Sequence, residues 1–252
     1  MKRVLPIFIL LLGVLAPAQN EALFGGATEA YNKGDYNKAI DHYLKILEGG
    51  QHSAELYFNL GNSYYKLDQI APSIYYYEKA LLLAPNDTEI ANNLVYAQNM
   101  TLDDIETMPK TGLSELYESV VGFMSFDQWG YTAVIFMLLF VFLYIAFYLF
   151  RYATQKRIAF IVSVVSLIIS LVAVVFAFLS YSDFNADQPA IVFSKEVVVK
   201  SEPNERSQGV FKLHEGTKLN VLEELKNWKK IQIADGQTGW LSSESIKVLK
   251  DF

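Results

Sequence analysis

Two long apolar runs without a single charged residue limit what this chain can fold into. The first extends from Trp129 to Phe150 and the second from Ile158 to Ser180. A helix needs about 20 residues to cross the roughly 30 Å hydrocarbon core of a bilayer, and both runs are that long. In a water-soluble protein each run would need burial on every side, and no other part of the 252-residue chain is suited to surround them. We therefore predict two transmembrane helices.

The charges beside these runs predict their orientation. The loop over residues 151–157 contains three basic residues and no acidic one. Cytoplasmic loops are enriched in Lys and Arg, so this loop is predicted to be cytoplasmic and both ends of the chain to lie on the other side. The outer flanks carry aspartates instead, namely Asp127, Asp183 and Asp187.

The N-terminus has the pattern of a secretory signal peptide. Lys2 and Arg3 precede an apolar run from Val4 to Leu15, and Ala16-Pro17-Ala18 gives a small-x-small cleavage site. We predict cleavage after Ala18; the alternative is an uncleaved anchor. In both cases the residues that follow are exported, in agreement with the orientation predicted from the loop charges.

Residues 20–108 contain a self-similar pattern with a period of about 34 residues. In its clearest copy, Gly61 and the small residues Ser73 and Ala80 would let two antiparallel helices approach closely. Pro85 would end the second helix, because proline cannot continue its hydrogen-bond ladder. This copy resembles the tetratricopeptide repeat family at Tyr57, Leu60, Gly61, Tyr64, Ser73, Tyr77, Ala80 and Pro85.

Two weaker copies flank the clear one. The third begins at Asn86-Asp87, and Asp87 is predicted to cap a helix from about Thr88 through Met100. Because Val95 stands where the family has Gly, we interpret this copy as a terminal helix that covers the open end of the stack. The first copy ends at Gly49-Gly50 and matches at Phe24, Ala27, Thr28, Tyr31, Ala39, Tyr43 and Ile46.

The tetratricopeptide resemblance implies a peptide-binding groove lined by the first helix of each copy. The alternative is that these side chains form only the solvated face of a small solenoid, since periodicity alone explains them. The candidate groove residues are Glu55, Phe58, Asn62, Tyr65 and Lys66 of the second copy and Asn92 and Tyr96 of the third, with Glu29, Asn32, Lys33 and Asn99 at matching positions.

Residues 188–252 have the pattern of short strands joined by turns. Lys218 to Leu225 alternates apolar and polar residues, and Asp235-Gly236 is a tight-turn signal. Such strands in about 65 residues predict a small barrel. The segment resembles the bacterial SH3-like family at Val197 to Pro203, Leu213 to Thr217, Asn227 to Ile231 and Asp235 to Trp240, with Lys200 where the family often carries Arg.

Strand parity separates two tryptophans of this barrel. Ile231 and Ile233 share one face, which we expect to be the core, so Trp228 lies on the opposite face. There it resembles the aromatic ligand surface of SH3 barrels; the alternative is a Trp that covers one end of the barrel. Trp240 is expected to lie in the core.

We expect no catalytic residues, metal site or cofactor. The chain has no cysteine, which excludes disulfides, thiolate metal sites and Cys nucleophiles. Its three histidines, His42, His52 and His214, do not share a helix face, and Gly25-Gly26 is interpreted as a loop before a repeat helix. The net charge of −6 argues against nucleic-acid binding, and the apolar runs hold no acidic, basic or His residue for an ion pathway.

The order of these segments resembles the BatE family, the tetratricopeptide proteins of the aerotolerance (Bat) operons of Bacteroidetes. The stretches Asn93 to Gln98 and Thr101 to Pro109 also resemble that family's joint. The resemblance implies an aerotolerance or stress-related complex with von Willebrand factor A-domain membrane proteins and a MoxR-type AAA+ ATPase.

We therefore predict a multi-domain membrane protein with an all-α tetratricopeptide solenoid, a transmembrane hairpin and a small all-β SH3-like barrel. It would act as a non-enzymatic scaffold in the bacterial inner membrane, with both soluble modules in the periplasm; the alternative is a cell-wall sensor whose barrel binds peptidoglycan peptides. The predicted segments are the signal peptide 1–18, the repeats with their capping helix 19–108, a linker 109–128, transmembrane helices 129–150 and 158–180 around the loop 151–157, and the barrel 188–252.

Overall fold

The computed structural model describes residues 20–108 and 112–251, so the predicted signal peptide lies outside the described residues. The chain forms two compact units. One contains the residues up to Thr107 together with those from Gln188 onward, and the other contains Met108–Asp187. The N-terminal and C-terminal parts of the chain therefore belong to the same unit.

From residue 20 onward, five helices form the N-terminal part of the first unit, which we call the repeat module. Helix α1 covers residues 20–32 and is followed by α2 (Tyr36–Glu48), α3 (Ala54–Tyr65), α4 (Ile70–Leu83) and α5 (Thr88–Gln98). Polar side chains cap the starts of α2, α3 and α5, because each accepts a bond from a backbone N–H that has no partner within the helix. Asp35 caps α2, Ser53 caps α3 and, as the sequence predicts, Asp87 caps α5.

The approach of α3 to α4 depends on Gly61. A Cβ atom added there would lie 2.6 Å from the ring of Tyr77, closer than side chains can approach. Buried Ser73 adds a bond across the same contact, because its hydroxyl donates to the Gly61 carbonyl at 3.0 Å. The close helix contact predicted from these small residues is confirmed.

One prediction for α1 is wrong. Gly25 and Gly26, interpreted as a loop from the sequence, lie inside this helix. Gly26 is suited to a packed position, because a Cβ atom added there would lie 3.0 Å from the imidazole of His42 on α2. The glycine therefore permits a close ring contact.

The C-terminal part of the first unit is a seven-stranded antiparallel sheet, the barrel. Its spatial order is β3-β2-β6-β5-β4-β1-β7. Inward-facing residues such as Val199, Leu213, Ile231 and Leu241 form the core. The strands are β1 (Pro189–Val192), β2 (Glu196–Lys200), β3 (Gly209–His214), β4 (Lys218–Leu225), β5 (Trp228–Gln232), β6 (Thr238–Ser242) and β7 (Ile246–Val248), with a 3₁₀ turn over Ser243–Ser245.

Strand β1 joins the barrel to the repeat module because it is buried on both faces. Ala190 and Val192 pack in the barrel core. Ile191, which points to the opposite face, packs in the same cluster as Ile74 and Tyr75 of α4. Helix α4 is accordingly covered on its repeat side by α3 and on another side by the barrel.

Among the residues that the structure describes, the second unit contains three helices: α6 (Gly112–Val121), α7 (Phe126–Leu149) and α8 (Ala153–Ala186). Helices α7 and α8 are long and apolar enough to cross a membrane. Small residues line their mutual contact, and the Ser170 hydroxyl donates to the Ala133 carbonyl at 2.8 Å. Backbones approach closely where such residues meet, as in helix pairs within membranes.

Candidate functional site

A groove on the repeat module brings together five of the seven groove residues predicted from the sequence. They surround a cavity of about 240 Å³ between α3 and α5. The five predicted residues are Phe58, Asn62, Tyr65, Lys66 and Tyr96, and the cavity is completed by Tyr31, Tyr77, Glu89 and Asn93.

Asn62 is the fixed polar group of this groove. Its side-chain oxygen accepts a bond of 2.6 Å from the Tyr77 hydroxyl and one of 3.0 Å from the Asn93 amide nitrogen. Burial raises the pKa of Tyr77, so this hydroxyl remains a donor at physiological pH. Because both bonds use the oxygen of Asn62, its amide nitrogen is the donor that it keeps for a ligand.

The charges of the groove lie at opposite sides of its aromatic floor. Lys66 at the end of α3 and Glu89 at the start of α5 are both exposed. Phe58 and Tyr65 are half-buried, whereas Tyr96 is 61% exposed. The groove thus offers aromatic contact area, an amide donor and one charge of each sign, which suits an extended peptide.

Two of the seven groove residues lie outside this cavity, as do the residues at matching positions, Glu29, Asn32, Lys33 and Asn99. Asn92 is exposed and does not line it, and the neighbouring Asn93 does. Glu55 lines an adjoining cavity of about 440 Å³ that also touches Phe58 and Glu89. The groove residues of α5 are Glu89, Asn93 and Tyr96, and each directly precedes a buried residue of that helix. Which residues of α5 face the groove therefore depends on how the helix packs against α4, and this packing is not evident from the sequence.

A further cavity of the repeat module, separate from the two beside the groove, was not predicted from the sequence. It measures about 800 Å³ and lies between α1 and the start of α3. Phe24, Ile46 and Leu56 give it apolar walls, and Glu21 and His52 lie on its lining.

The outer face of the barrel carries both tryptophans. Trp228 is half-buried, and the Lys200 ammonium lies 5.5 Å from the centre of its ring. Trp240 was expected in the core, and this prediction is wrong: it is half-buried, whereas its neighbours Gly239 and Leu241 are buried. The pairing Lys230↔Trp240 and Trp228↔Ser242 puts the two rings on the same face of adjacent strands.

Lys200 is held in place beside these rings. Its ammonium donates to the backbone carbonyl of Glu205 at 2.6 Å and to the carboxylate of the same residue at 2.7 Å. The loop between β2 and β3 is thereby tied to the tryptophan face. This face, defined as Trp228, Trp240 and Lys200, is an aromatic and cationic surface of a kind that binds ligands.

The contact between α4 and the barrel, which we call the docking interface, is largely closed to solvent. Ile74, Tyr75, Ile191 and Leu249 are each at most 5% exposed, and Tyr75 meets Phe193 edge to face at 5.5 Å. Ion pairs join the same elements, because Lys218 contacts Glu78 at 2.7 Å and Lys79 contacts Asp251. The Tyr75 hydroxyl also donates to the Asp251 carboxylate at 2.8 Å.

A second connection to the barrel comes from the segment after α5. The Asp103 carboxylate accepts bonds from the His214 backbone N–H at 2.7 Å, the Thr217 hydroxyl at 2.5 Å and the His214 imidazole at 2.6 Å. Burial raises the pKa of Asp103, but these hydrogen bonds outweigh it and hold that pKa below its ordinary value. The bond to Asp103 raises the pKa of His214.

Two family models match parts of the chain. The model described as bacterial SH3 domain matches residues 195–247, and the model described as tetratricopeptide repeat matches residues 54–87. No curated protein matches the chain significantly. The two matches confirm the predicted fold class, with helical repeats before and an SH3-like sheet after the two apolar helices. Domains of both kinds are typically non-catalytic and bind proteins, peptides or peptidoglycan.

Titratable groups show no arrangement for metal binding in the parts of the chain that the structure describes. No group of three or more His, Asp or Glu side chains there could hold an ion. The candidate sites described above are two binding surfaces, the repeat groove and the tryptophan face.

Proposed function

We propose that the chain is a non-enzymatic scaffold of the bacterial inner membrane whose repeat groove binds an extended peptide segment of a partner protein. The observation that supports this most is the groove itself. Its aromatic floor offers contact area, and the Asn62 amide nitrogen is positioned by two bonds and suits a peptide carbonyl.

The docking interface supports the proposed topology. The repeat module precedes the two apolar helices in the chain and the barrel follows them, yet the two modules share one compact unit. Modules that pack on each other lie on the same side of a membrane, so the segment between them crosses it an even number of times. Two crossings through α7 and α8, with the basic loop 151–157 in the cytoplasm, satisfy this condition and put both modules in the periplasm.

The packed arrangement also explains how one chain would serve two ligands. Because the docking interface uses α4, the groove of α3 and α5 and the tryptophan face of the barrel both remain available. Two sites held in one body raise the effective concentration of each ligand near the other. We propose that the tryptophan face takes a second protein or a wall component.

The finer assignment extends the resemblance to the BatE family. We propose a stress-related or aerotolerance membrane complex in which von Willebrand factor A-domain proteins, together with a MoxR-type ATPase system, are the partners. The second candidate function is a cell-wall sensor in which the barrel binds peptidoglycan peptides, and the half-buried Trp228 and Trp240 on the outer face of the barrel favour it.

The full chain in detergent, used as bait for membrane extracts, tests the scaffold. The double variant Phe58→Ala, Tyr65→Ala should lose the captured partner because it removes the aromatic floor. Val95→Ala is the matched control, since Val95 is 52% exposed on α5 but does not line the groove. The isolated repeat module is unsuitable as bait, because it would expose the apolar face of α4 that the barrel covers.

The same bait separates the two candidates. Partner proteins retained by the wild type and lost in the double variant support the scaffold. Retention of purified peptidoglycan fragments that depends on Trp228, with no partner protein whose capture depends on the groove, would support the sensor and refute the scaffold.

A further inference from the structure

Helix α6 presents an apolar face that the other described helices of its unit leave uncovered. Leu113 is 85% exposed, Leu116 60% and Val120 40%. Their spacing of three and four residues puts them on one side of the helix. The remaining surface is polar and contains Ser114, Glu115, Glu118 and Ser119.

Two hydrogen bonds fasten α6 to one end of the apolar pair. The Trp129 indole of α7 donates to the Val121 carbonyl at 3.0 Å. The Tyr117 hydroxyl donates to the Asp183 carboxylate of α8 at 2.8 Å. Val121 itself is 4% exposed, so the end of α6 packs against its own unit, whereas residues 112–120 are exposed.

The anchoring residues identify the level at which α6 lies. Asp127 and Asp183 are acidic residues and mark where α7 and α8 leave an apolar environment. Trp129 and Tyr117 are of the amphipathic aromatic type that concentrates at the boundary between lipid and water. Only residues 122–125 separate α6 from α7, and this segment includes Phe123, which is 75% exposed.

We propose that α6 lies in the plane of the membrane interface, with Leu113, Leu116 and Val120 inserted among the lipids. This rests on the proposed insertion of α7 and α8. The occupant of the apolar face is a lipid surface because α6 is bonded to the ends of two helices whose own side chains are exposed, apolar and suited to lipid. The polar face holds two glutamates and no basic residue, so apolar burial and not attraction to anionic lipid keeps the helix there.

Single-cysteine variants of the full chain test this directly, because the natural chain has no cysteine. Leu116→Cys and Val120→Cys report the apolar face; Glu115→Cys and Ser119→Cys are matched controls on the polar face. Each carries an environment-sensitive fluorophore in phosphatidylcholine vesicles. We expect blue-shifted emission and quenching by nitroxide lipids for the first pair, and quenching by aqueous iodide for the second. Adding anionic lipid should leave this difference unchanged.

A label at Leu139→Cys, within α7, separates the two ideas. If nitroxide lipids do not quench that label, the proposed membrane insertion fails. If nitroxide lipids quench the Leu139→Cys label, the insertion of α7 holds. The placement of α6 at the lipid surface is then overturned if the labels on both faces of α6 respond equally to iodide, or if the apolar-face labels respond to neither quencher.

Discussion

Replacing Asp103 by alanine should release the barrel from the segment after α5. The substitution removes the acceptor of three bonds, from the His214 backbone N–H, the Thr217 hydroxyl and the His214 imidazole. We count only the first two, because the imidazole is 26% exposed and also faces Glu196. A hydrogen bond to a charged group contributes about 1.5 to 3 kcal/mol, and we use the lower value because the Asp103 side chain is 12% exposed. The two bonds then sum to about 3 kcal/mol of docking free energy, which corresponds to about a 150-fold change in the opening equilibrium.

Thiol labelling of an Ile191→Cys reporter measures that equilibrium, because residue 191 is fully buried in the docking interface and is the only cysteine of the variant. In this background Asp103→Ala should label about 150 times faster than the unsubstituted chain. Asp103→Asn, which keeps an acceptor oxygen but loses the charge, should fall between them. Asp104→Ala is the control, since it removes an exposed carboxylate next in sequence. Equal rates for Asp103→Ala and Asp104→Ala would refute the reasoning.

Two further predictions concern pH and packing. The pKa of Asp103 is lowered on folding. Its contribution to the docking free energy is therefore complete above about pH 4 and is lost as the pH falls through the pKa of the folded state. The pKa of His214 is raised by Asp103, and Glu196 and Lys212 also face this imidazole. Its contribution to the docking free energy is therefore complete below about pH 6.5 and is lost as the pH rises through the pKa of the folded state. The Ile191→Cys labelling rate, divided by the rate of an exposed cysteine at the same pH, should be lowest between those limits. His214→Gln should abolish the rise at alkaline pH. A corrected rate that does not change with pH would contradict this prediction. Gly61→Ala should destabilise the repeat module by about 2 kcal/mol in thermal unfolding, because the new methyl group meets the Tyr77 ring. Gly25→Ala, where nothing lies within 4 Å, is the control and should not lower the melting temperature; equal losses would contradict the packing argument.

Features of the fold that depend on local sequence could be predicted from it. The repeat follows from small residues at fixed spacing, of which Gly61 is the clearest, and the helix start at Asp87 follows from capping chemistry. The apolar runs are equally local, because length and the absence of charge suffice to identify them. Each of these signals lies within one repeat, one turn or one run.

The docking interface could not be predicted in this way, because it joins elements that are distant in sequence. A signal was present in the run Ala190-Ile191-Val192, since uninterrupted apolar residues in a strand indicate burial on both faces. The run does not say what covers the second face, and that cover is α4. Helix α6 falls in the segment expected as a linker, although its apolar residues have helical spacing.

Trp240 was placed wrongly because two large apolar residues, Trp240 and Leu241, are adjacent in β6. Alternation alone does not decide which of them points inward. Pairing with β5 decides it. Leu241 lies opposite Lys229, which is on the same face as the core residue Ile231, whereas Trp240 lies opposite Lys230, which is on the same face as Trp228. The choice of Asn92 over Asn93 has a similar cause, because the rotation of α5 depends on how Ile90 and Leu94 pack.

The most direct test of the whole account is the side of the membrane on which each segment lies. Three single-cysteine variants report it: Asn37→Cys in the repeat module, Thr154→Cys near the basic loop and Arg206→Cys in the barrel, all at exposed positions. With a membrane-impermeant maleimide on intact spheroplasts, the first and third should label at once, and Thr154→Cys only after permeabilisation. The reverse pattern, or opposite results for Asn37→Cys and Arg206→Cys, would contradict the claim that both modules form one body outside the cytoplasm.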